Sequence, residues 1–232
     1  MIAAPNRWPG PMAGSRWPIA VVLAMSVVHG SLLAWESWHD APMWDEVAHL
    51  PAGLSHWQLG RFDLYRVNPP LVRMLAAAPV LMASPSTDWS AVQISPGNRS
   101  EFEVGRRFVT ANGPRVFRLF AVARFACIPL SVGAGLLCFV WASELYGRFG
   151  GLIAATLWYC CPNALGYGHL ITPDVGGAAF GLLASYCFWR WLSKPTFPRS
   201  AVAGAALSLA LLAKSTWIIA FALWPCIWLG LT

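Results

Sequence analysis

The sequence predicts an all-α polytopic membrane protein with about six transmembrane helices and a large first loop. Three observations carry this. Of the 232 residues, 57% are hydrophobic and only 11% charged, whereas a soluble domain carries about 25% charged residues. Long apolar runs alternate with short polar stretches, and one polar block from Glu36 to Arg124 holds most of the charge. The basic residues outside that block gather at the ends of apolar runs, as at a membrane boundary.

The first apolar run, Trp17 to Trp35, follows Arg7 and Arg16 and has tryptophan at both ends. It is longer than the apolar core of a signal peptide, about 7–15 residues, and no small-x-small cleavage site follows. We read it as an uncleaved first span. Within the polar block, Asp45 to Leu59 has the pattern of an amphipathic helix. Pro70 to Ala83 contains LVRMLAAAPVLM, too short and too proline-flanked to span, which suits an interfacial or re-entrant helix. Asp88 to Pro114, rich in Ser, Asn and Gly, reads as loop. Five further spans are expected over Phe125–Ala142, Gly150–Tyr167, Val175–Leu192, Ala201–Ala213 and Thr216–Leu231, with Pro129, Pro162 and Pro225 inside them. The chain is then one transmembrane domain over 1–232, with 36–124 as its first loop.

Orientation follows from short-loop charges. Arg7 and Arg16, Arg148, and the group Arg190, Lys194 and Arg199 all fall on one side by parity, which the positive-inside rule assigns to the cytoplasm. The 36–124 loop, the 168–174 turn and the Lys214 turn share the opposite, extracytoplasmic side. Arginine far outnumbers lysine, and Gly (20), Pro (18) and Trp (14) are abundant. That usage suits a GC-rich bacterial genome and places the chain in a bacterial inner membrane.

Several function classes recede. The net charge of +6 is not gathered into a basic run, so no nucleic acid is expected. All six cysteines lie in apolar stretches without a CxxC pair and read as packing residues. No ligand spacing calls for a metal, so no cofactor is expected, although a few Asp, Glu and His on one face would admit a divalent ion.

The chemistry-bearing residues cluster in MWDEVAHLPAGLSHWQLGRFDLYRVNPPLVRML, from Met43. It presents Asp45 and Glu46, His49, Arg61, Asp63, Arg66, Asn68-Pro69-Pro70-Leu71 and Arg73. Taken alone, adjacent carboxylates opening a helix are the pairing that the macrodipole favours. The company of Gly60-Arg61-Phe62 and Asn68-Pro69-Pro70-Leu71 is more specific. This segment resembles the first extracytoplasmic loop of the protein O-mannosyltransferases and their aminoarabinose-transferase relatives, which are membrane glycosyltransferases of the GT-C type. Those enzymes carry an Asp-Glu pair after the first span, then Gly-x-Phe leading into His- or Lys-Pro-Pro-Leu. Leu145-Tyr146-Gly147, Pro162, Asp174 and the leucine-rich stretch ending in Lys214 extend the resemblance over most of the chain. Asn68 departs from the family's His or Lys, and His49 stands four residues after Asp45 where the mannosyltransferases have a histidine three after.

The resemblance implies a glycosyltransferase that uses a polyprenyl-phosphate-linked sugar, with inverting chemistry, on the extracytoplasmic face. Asp45 becomes the candidate base, Glu46 an orienting or acceptor-binding group and Asp174 the alternative base. Arg66, Asn68, Arg73, Lys214 and His49 become candidate substrate-binding residues, with the arginines and lysine facing a lipid phosphate. Such residue types fit, because deprotonating an acceptor hydroxyl needs a base and a departing phosphate needs cations. Family members are longer, which implies a truncated, GT-C-like part. Two other readings stand beside it: a secondary transporter, and a non-catalytic remnant of a glycosyltransferase.

Overall fold

The computed structural model describes residues 16–90, 92 and 99–231. Every regular element among them is helical, in the order α1 (Trp17–His39), α2 (Trp44–Leu59), α3 (Leu71–Met82), α4 (Ser100–Asn112), α5 (Val116–Phe125), α6 (Ile128–Tyr159), α7 (Pro162–Tyr167), α8 (Pro173–Ser193), α9 (Phe197–Ala213) and α10 (Ala220–Leu231). Short 3₁₀ turns precede α5 and α10. Two helical stretches are long and apolar enough to cross a membrane: α1, and the run Ser100–Tyr159 that contains α6. The other expected spans correspond to α8 and to the shorter apolar segments Phe197–Ala213 and Ser215–Leu231.

Helix α1 is inside-out relative to a helix of a water-soluble protein. Its packed stripe, Pro18, Val22, Ser26, His29, Leu33 and Ser37, recurs every three or four residues and includes three polar side chains. Its outward face carries Leu23, Val27 and Val28, of which Val27 is 69% exposed. The polar groups are satisfied internally. Ser26 Oγ lies 2.8 Å from the Tyr159 hydroxyl, and His29 reaches Ser131 Oγ at 2.9 Å and the Tyr159 carbonyl at 3.2 Å. Small, hydroxyl-bearing residues at such contacts are the packing chemistry of helices in lipid.

The sequence places a boundary at Leu145-Tyr146-Gly147, and there the backbone of α6 breaks: Gly147 has φ 78° and ψ 171°, a region open essentially only to glycine. The arms 128–146 and 148–159 fold back on each other. Trp158 Nε1 donates to the Ser131 carbonyl at 2.9 Å and the Tyr159 hydroxyl to the Val132 carbonyl at 2.9 Å. The arms approach so closely that a Cβ at Gly151 would lie 2.0 Å from Ser143 Oγ.

Three local expectations are corrected. The run from Gly150 does not continue to Tyr167. It stops at Tyr159, because Pro162 holds Cys161 extended (φ −67°, ψ 123°) and then opens α7 at its first turn. The expected loop 88–114 contains α4, and residues 93–98 of it lie outside the described residues. Within α4, Glu103 bridges Arg106 at 2.8 Å and Arg107 at 3.0 Å on one face, while Val104 and Phe108 are buried on the other. Finally, α2 is not amphipathic through its middle: every residue from Ala48 to His56 is buried. It is enclosed by α3 and α4, and glycines set both approaches. A Cβ at Gly53 would meet the Arg73 carbonyl oxygen at 2.2 Å, and one at Gly105 would meet that of Val47 at 2.2 Å. Leu50, Leu54, Val72, Val80, Phe108, Leu119 and Phe120 close this core.

The charged groups collect at the two ends of the helices. At one end of the antiparallel α8–α9 pair, Lys214 Nζ meets Asp174 Oδ1 at 2.7 Å. At the other, Arg190 Nη1 meets Glu144 Oε1 at 3.0 Å, and Arg199 Nη1 donates to the Arg190 carbonyl at 2.8 Å.

Candidate functional site

The adjacent acids Asp45 and Glu46 lie about 100° apart on the first turn of α2, and this separates their environments completely. Asp45 is exposed, with no hydrogen bond or ion pair among the described residues. Glu46 is fully buried. Its Oε1 accepts from Arg124 Nε at 2.9 Å and from the Ile171 amide at 3.1 Å. Its Oε2 accepts from Arg124 Nη2 at 2.5 Å and from the Met43 amide at 2.9 Å, which satisfies the N–H of the residue before the helix. Arg124, 1% exposed, directs its remaining N–H groups at the carbonyls of Asp40 (2.8 Å), Ala41 (3.0 Å) and Ser37 (3.4 Å). The pair therefore ties the end of α1, the start of α2, α5 and the turn before α8 together. Sequence reasoning missed Arg124, and the pairing across 78 residues leaves no local signal.

A second buried arginine is arranged differently. Arg73, 3% exposed on the first turn of α3, donates Nε–H to His56 Nε2 at 2.9 Å and Nη2–H to the Tyr65 carbonyl at 2.8 Å. Its guanidinium carbon stands 4.9 Å from the centroid of the Tyr65 ring. The His56 tautomer follows from its neighbours. Nδ1 lies 2.5 Å from the Arg61 carbonyl, which can only accept, so Nδ1 carries the proton and Nε2 offers its lone pair to Arg73. Burial, and to a lesser degree Arg73, holds the His56 pKa below the ordinary imidazole value and keeps that lone pair available. Burial also lowers Arg73, to about 10, which leaves it charged at neutral pH. Arg73 Nη1 is buried and has no hydrogen-bond partner among the described residues. A cation held by three contacts with one uncommitted N–H group is a pre-set donor for an anion.

Arg73 lines a cleft of about 320 Å³ together with Tyr65, Arg66, Asn68, Pro70 and Ser215. Arg66 Nε donates to the Asp63 carbonyl at 3.1 Å. The cleft also lies beside the first turn of α3, whose free amides add positive potential. His49 lies beneath it: buried, 4.5 Å from the Tyr65 ring, and lowered to about 4, first by burial and then by Arg73. Asp174 acts in the opposite sense on His49, so the three groups share one electrostatic neighbourhood.

The structure thus brings Arg66, Asn68 and Arg73 into one cleft and places His49 under it. Lys214 adjoins the cleft through Ser215 and is paired to Asp174. Asp45 lies outside that cleft, one helical turn from His49 on the same face of α2. Glu46 is committed to Arg124. Among the described residues no three His, Cys, Asp or Glu side chains are grouped to hold a metal ion. Comparison of the chain with family models, with curated proteins and with solved structures found no match in any of the three.

Proposed function

We propose that this chain is a multi-pass membrane glycosyltransferase related to the protein O-mannosyltransferase and aminoarabinose-transferase group. It transfers a sugar from a polyprenyl-phosphate donor to an acceptor hydroxyl on the extracytoplasmic face of a bacterial inner membrane. The observation that carries the reading is the buried Arg73 with its free Nη1, set in a cleft with Arg66 and Asn68. The phosphodiester of the donor supplies the oxygens this donor set lacks, and the lipid tail stays in the bilayer beside it.

Supporting the membrane placement are the inverted packing of α1 and its outward Val27, 69% exposed. Supporting the orientation is the charge division along α8 and α9, with Arg190, Lys194 and Arg199 at one end and Asp174 with Lys214 at the other. The N-terminus is then cytoplasmic. The transporter reading has less behind it, since the ionic groups lie at helix ends and the buried His29 is fully engaged with Ser131 and Tyr159.

In the proposed reaction the acceptor oxygen attacks the anomeric carbon from the face opposite the phosphate. The carbon–oxygen bond to phosphate breaks with its electron pair leaving on oxygen, where Arg73 and Arg66 stabilise it. The hydroxyl proton passes to a carboxylate, Asp45 or, in the alternative, Asp174. Glycans and glycolipids of cells with and without the gene, compared by mass spectrometry, test this. The deletion should lose a glycoform that wild type restores and Asp45→Asn does not, with turnover down roughly 10²-fold. Full restoration by Asp45→Asn moves the base to Asp174, and an unchanged glycome in the deletion removes the reading.

A further inference from the structure

A second cleft, of about 510 Å³, is lined by Trp158, Asn163, Tyr167 and Asp174 among others, and so touches the Asp174–Lys214 pair through Asp174. Its chemistry differs from that of the first. No cation lines it. Trp158 is fixed as a wall, because its indole N–H is taken by the Ser131 carbonyl at 2.9 Å. Tyr167 is 43% exposed, and its hydroxyl makes no hydrogen bond among the described residues; the same holds for the Asn163 side chain, which is exposed on the first turn of α7. Asp174 uses Oδ1 for Lys214 at 2.7 Å and leaves Oδ2 without a partner among the described residues. The cleft therefore offers two aromatic side chains and three uncommitted polar groups: an amide, a phenol and a carboxylate oxygen.

We infer that this second cleft is the acceptor subsite and that it takes a saccharide ring, an inference that rests on the transferase reading above. A pyranose has an apolar C–H face for an aromatic wall and a rim of hydroxyls that donate to carboxylate and amide oxygens and accept from phenol and amide N–H. A peptide hydroxyl would offer one such group where the cleft presents three. A phosphate or a nucleotide would meet Asp174 without a compensating cation other than Lys214. Asp174 lines the second cleft, and its partner Lys214 directly precedes Ser215 of the first, so the ion pair links the two clefts through the chain. Asp174 here positions the acceptor, whichever carboxylate takes the proton.

The test uses the full chain in lipid nanodiscs, free of sugar-based detergent, with two probes: methyl α-mannoside for the second cleft and farnesyl phosphate for the first. Saturation-transfer NMR should show the glycoside bound by wild type. Asn163→Ala with Tyr167→Phe should weaken that binding about fivefold or more, while Arg73→Gln leaves it unchanged and weakens farnesyl phosphate instead. A diazirine-bearing mannoside should label peptides within 158–178, which reads the site even where a variant folds poorly. Glycoside that fails to bind, labels elsewhere or ignores Asn163 and Tyr167, with farnesyl phosphate still dependent on Arg73, overturns the subsite and spares the transferase reading. Farnesyl phosphate that fails to bind wild type overturns the transferase reading itself.

Discussion

Two buried arginines separate a structural region of this molecule from a poised one. Arg124 and Arg73 are 1% and 3% exposed, and burial alone does not distinguish them. Their partners do. Arg124 meets a carboxylate and three carbonyls from three chain segments. Arg73 meets a neutral imidazole and one carbonyl, lines a cleft, and has a buried Nη1 without a hydrogen-bond partner among the described residues. A guanidinium with its donors satisfied holds elements together, while one held by neutral partners, with a donor in reserve, waits for an anion.

The largest expected effect tests the structural side. Arg124→Ala leaves the Glu46 carboxylate buried and uncompensated, so stability should fall by about 3–5 kcal/mol, read as a lower thermal midpoint in nanodiscs. Glu46→Gln should fall in the same direction. A midpoint close to wild type in both would erase the distinction drawn here.

Next in size is Gly53→Ala, which sharpens the poised side. The added methyl would meet the Arg73 carbonyl at 2.2 Å. Separating α2 from α3 should cost about 1–3 kcal/mol, the scale of overpacking, and should displace Arg73. Thermal melts and farnesyl phosphate binding should both respond, and a melt unchanged from wild type would deny the close approach.

Arg73→Gln should weaken farnesyl phosphate about tenfold, the scale of a charged hydrogen bond, with a smaller loss of midpoint than Arg124→Ala. An equal or larger loss of stability with unchanged binding would make Arg73 a second structural arginine.

The last effect is negligible at neutral pH and emerges as a slope in acid. His49 titrates near 6.5 when unfolded and is lowered to about 4 when folded. The unfolded chain therefore binds more protons across that window, and stability should fall as pH drops from 6.5 toward 4, then level off. His49→Gln should flatten that part of the melting-temperature profile. A slope that survives the substitution belongs to another group, with His56 and His169, both also lowered by burial, as the next to change.

The apolar runs fixed where most helices lie, because period and length survive any fold. The boundary that closes the second apolar run at Leu145-Tyr146-Gly147 was legible in the same way, and the backbone breaks there at Gly147. Three features were not legible, each for a physical cause. Helix α4 opens on Ser100 and Glu101 within a polar sequence, and only the burial of Val104 and Phe108 against α2 and α3 gives it a face. Helix α2 mixes apolar and polar residues as an amphipathic helix does, yet His49 and His56 are buried against Tyr65 and Arg73. The role of Glu46 depended on Arg124, a residue counted only as the end of a polar block. For the candidate site, Arg66, Asn68 and Arg73 came out together because eight residues of chain hold them on one turn-and-helix unit. The clefts depend on where α8, α9 and the 3₁₀ turn at Ser215 arrive, which no local pattern encodes.

The ion pair between Asp174 and Lys214 also bears on how such a chain is threaded into a membrane. A lysine in a short connection normally counts toward retention on the cytoplasmic side. Lys214 occupies the connection between α9 and α10, at the end of the helices opposite Arg190 and Arg199, and so opposes the charge count on which the proposed orientation rests. Its Nζ lies 2.7 Å from a carboxylate forty residues earlier, at the first turn of the helix with which α9 pairs. On the proposed multi-pass topology, a nascent α8–α9 hairpin carries both charges across as one neutral unit, and the orientation signal that remains is set by the arginines at the other end.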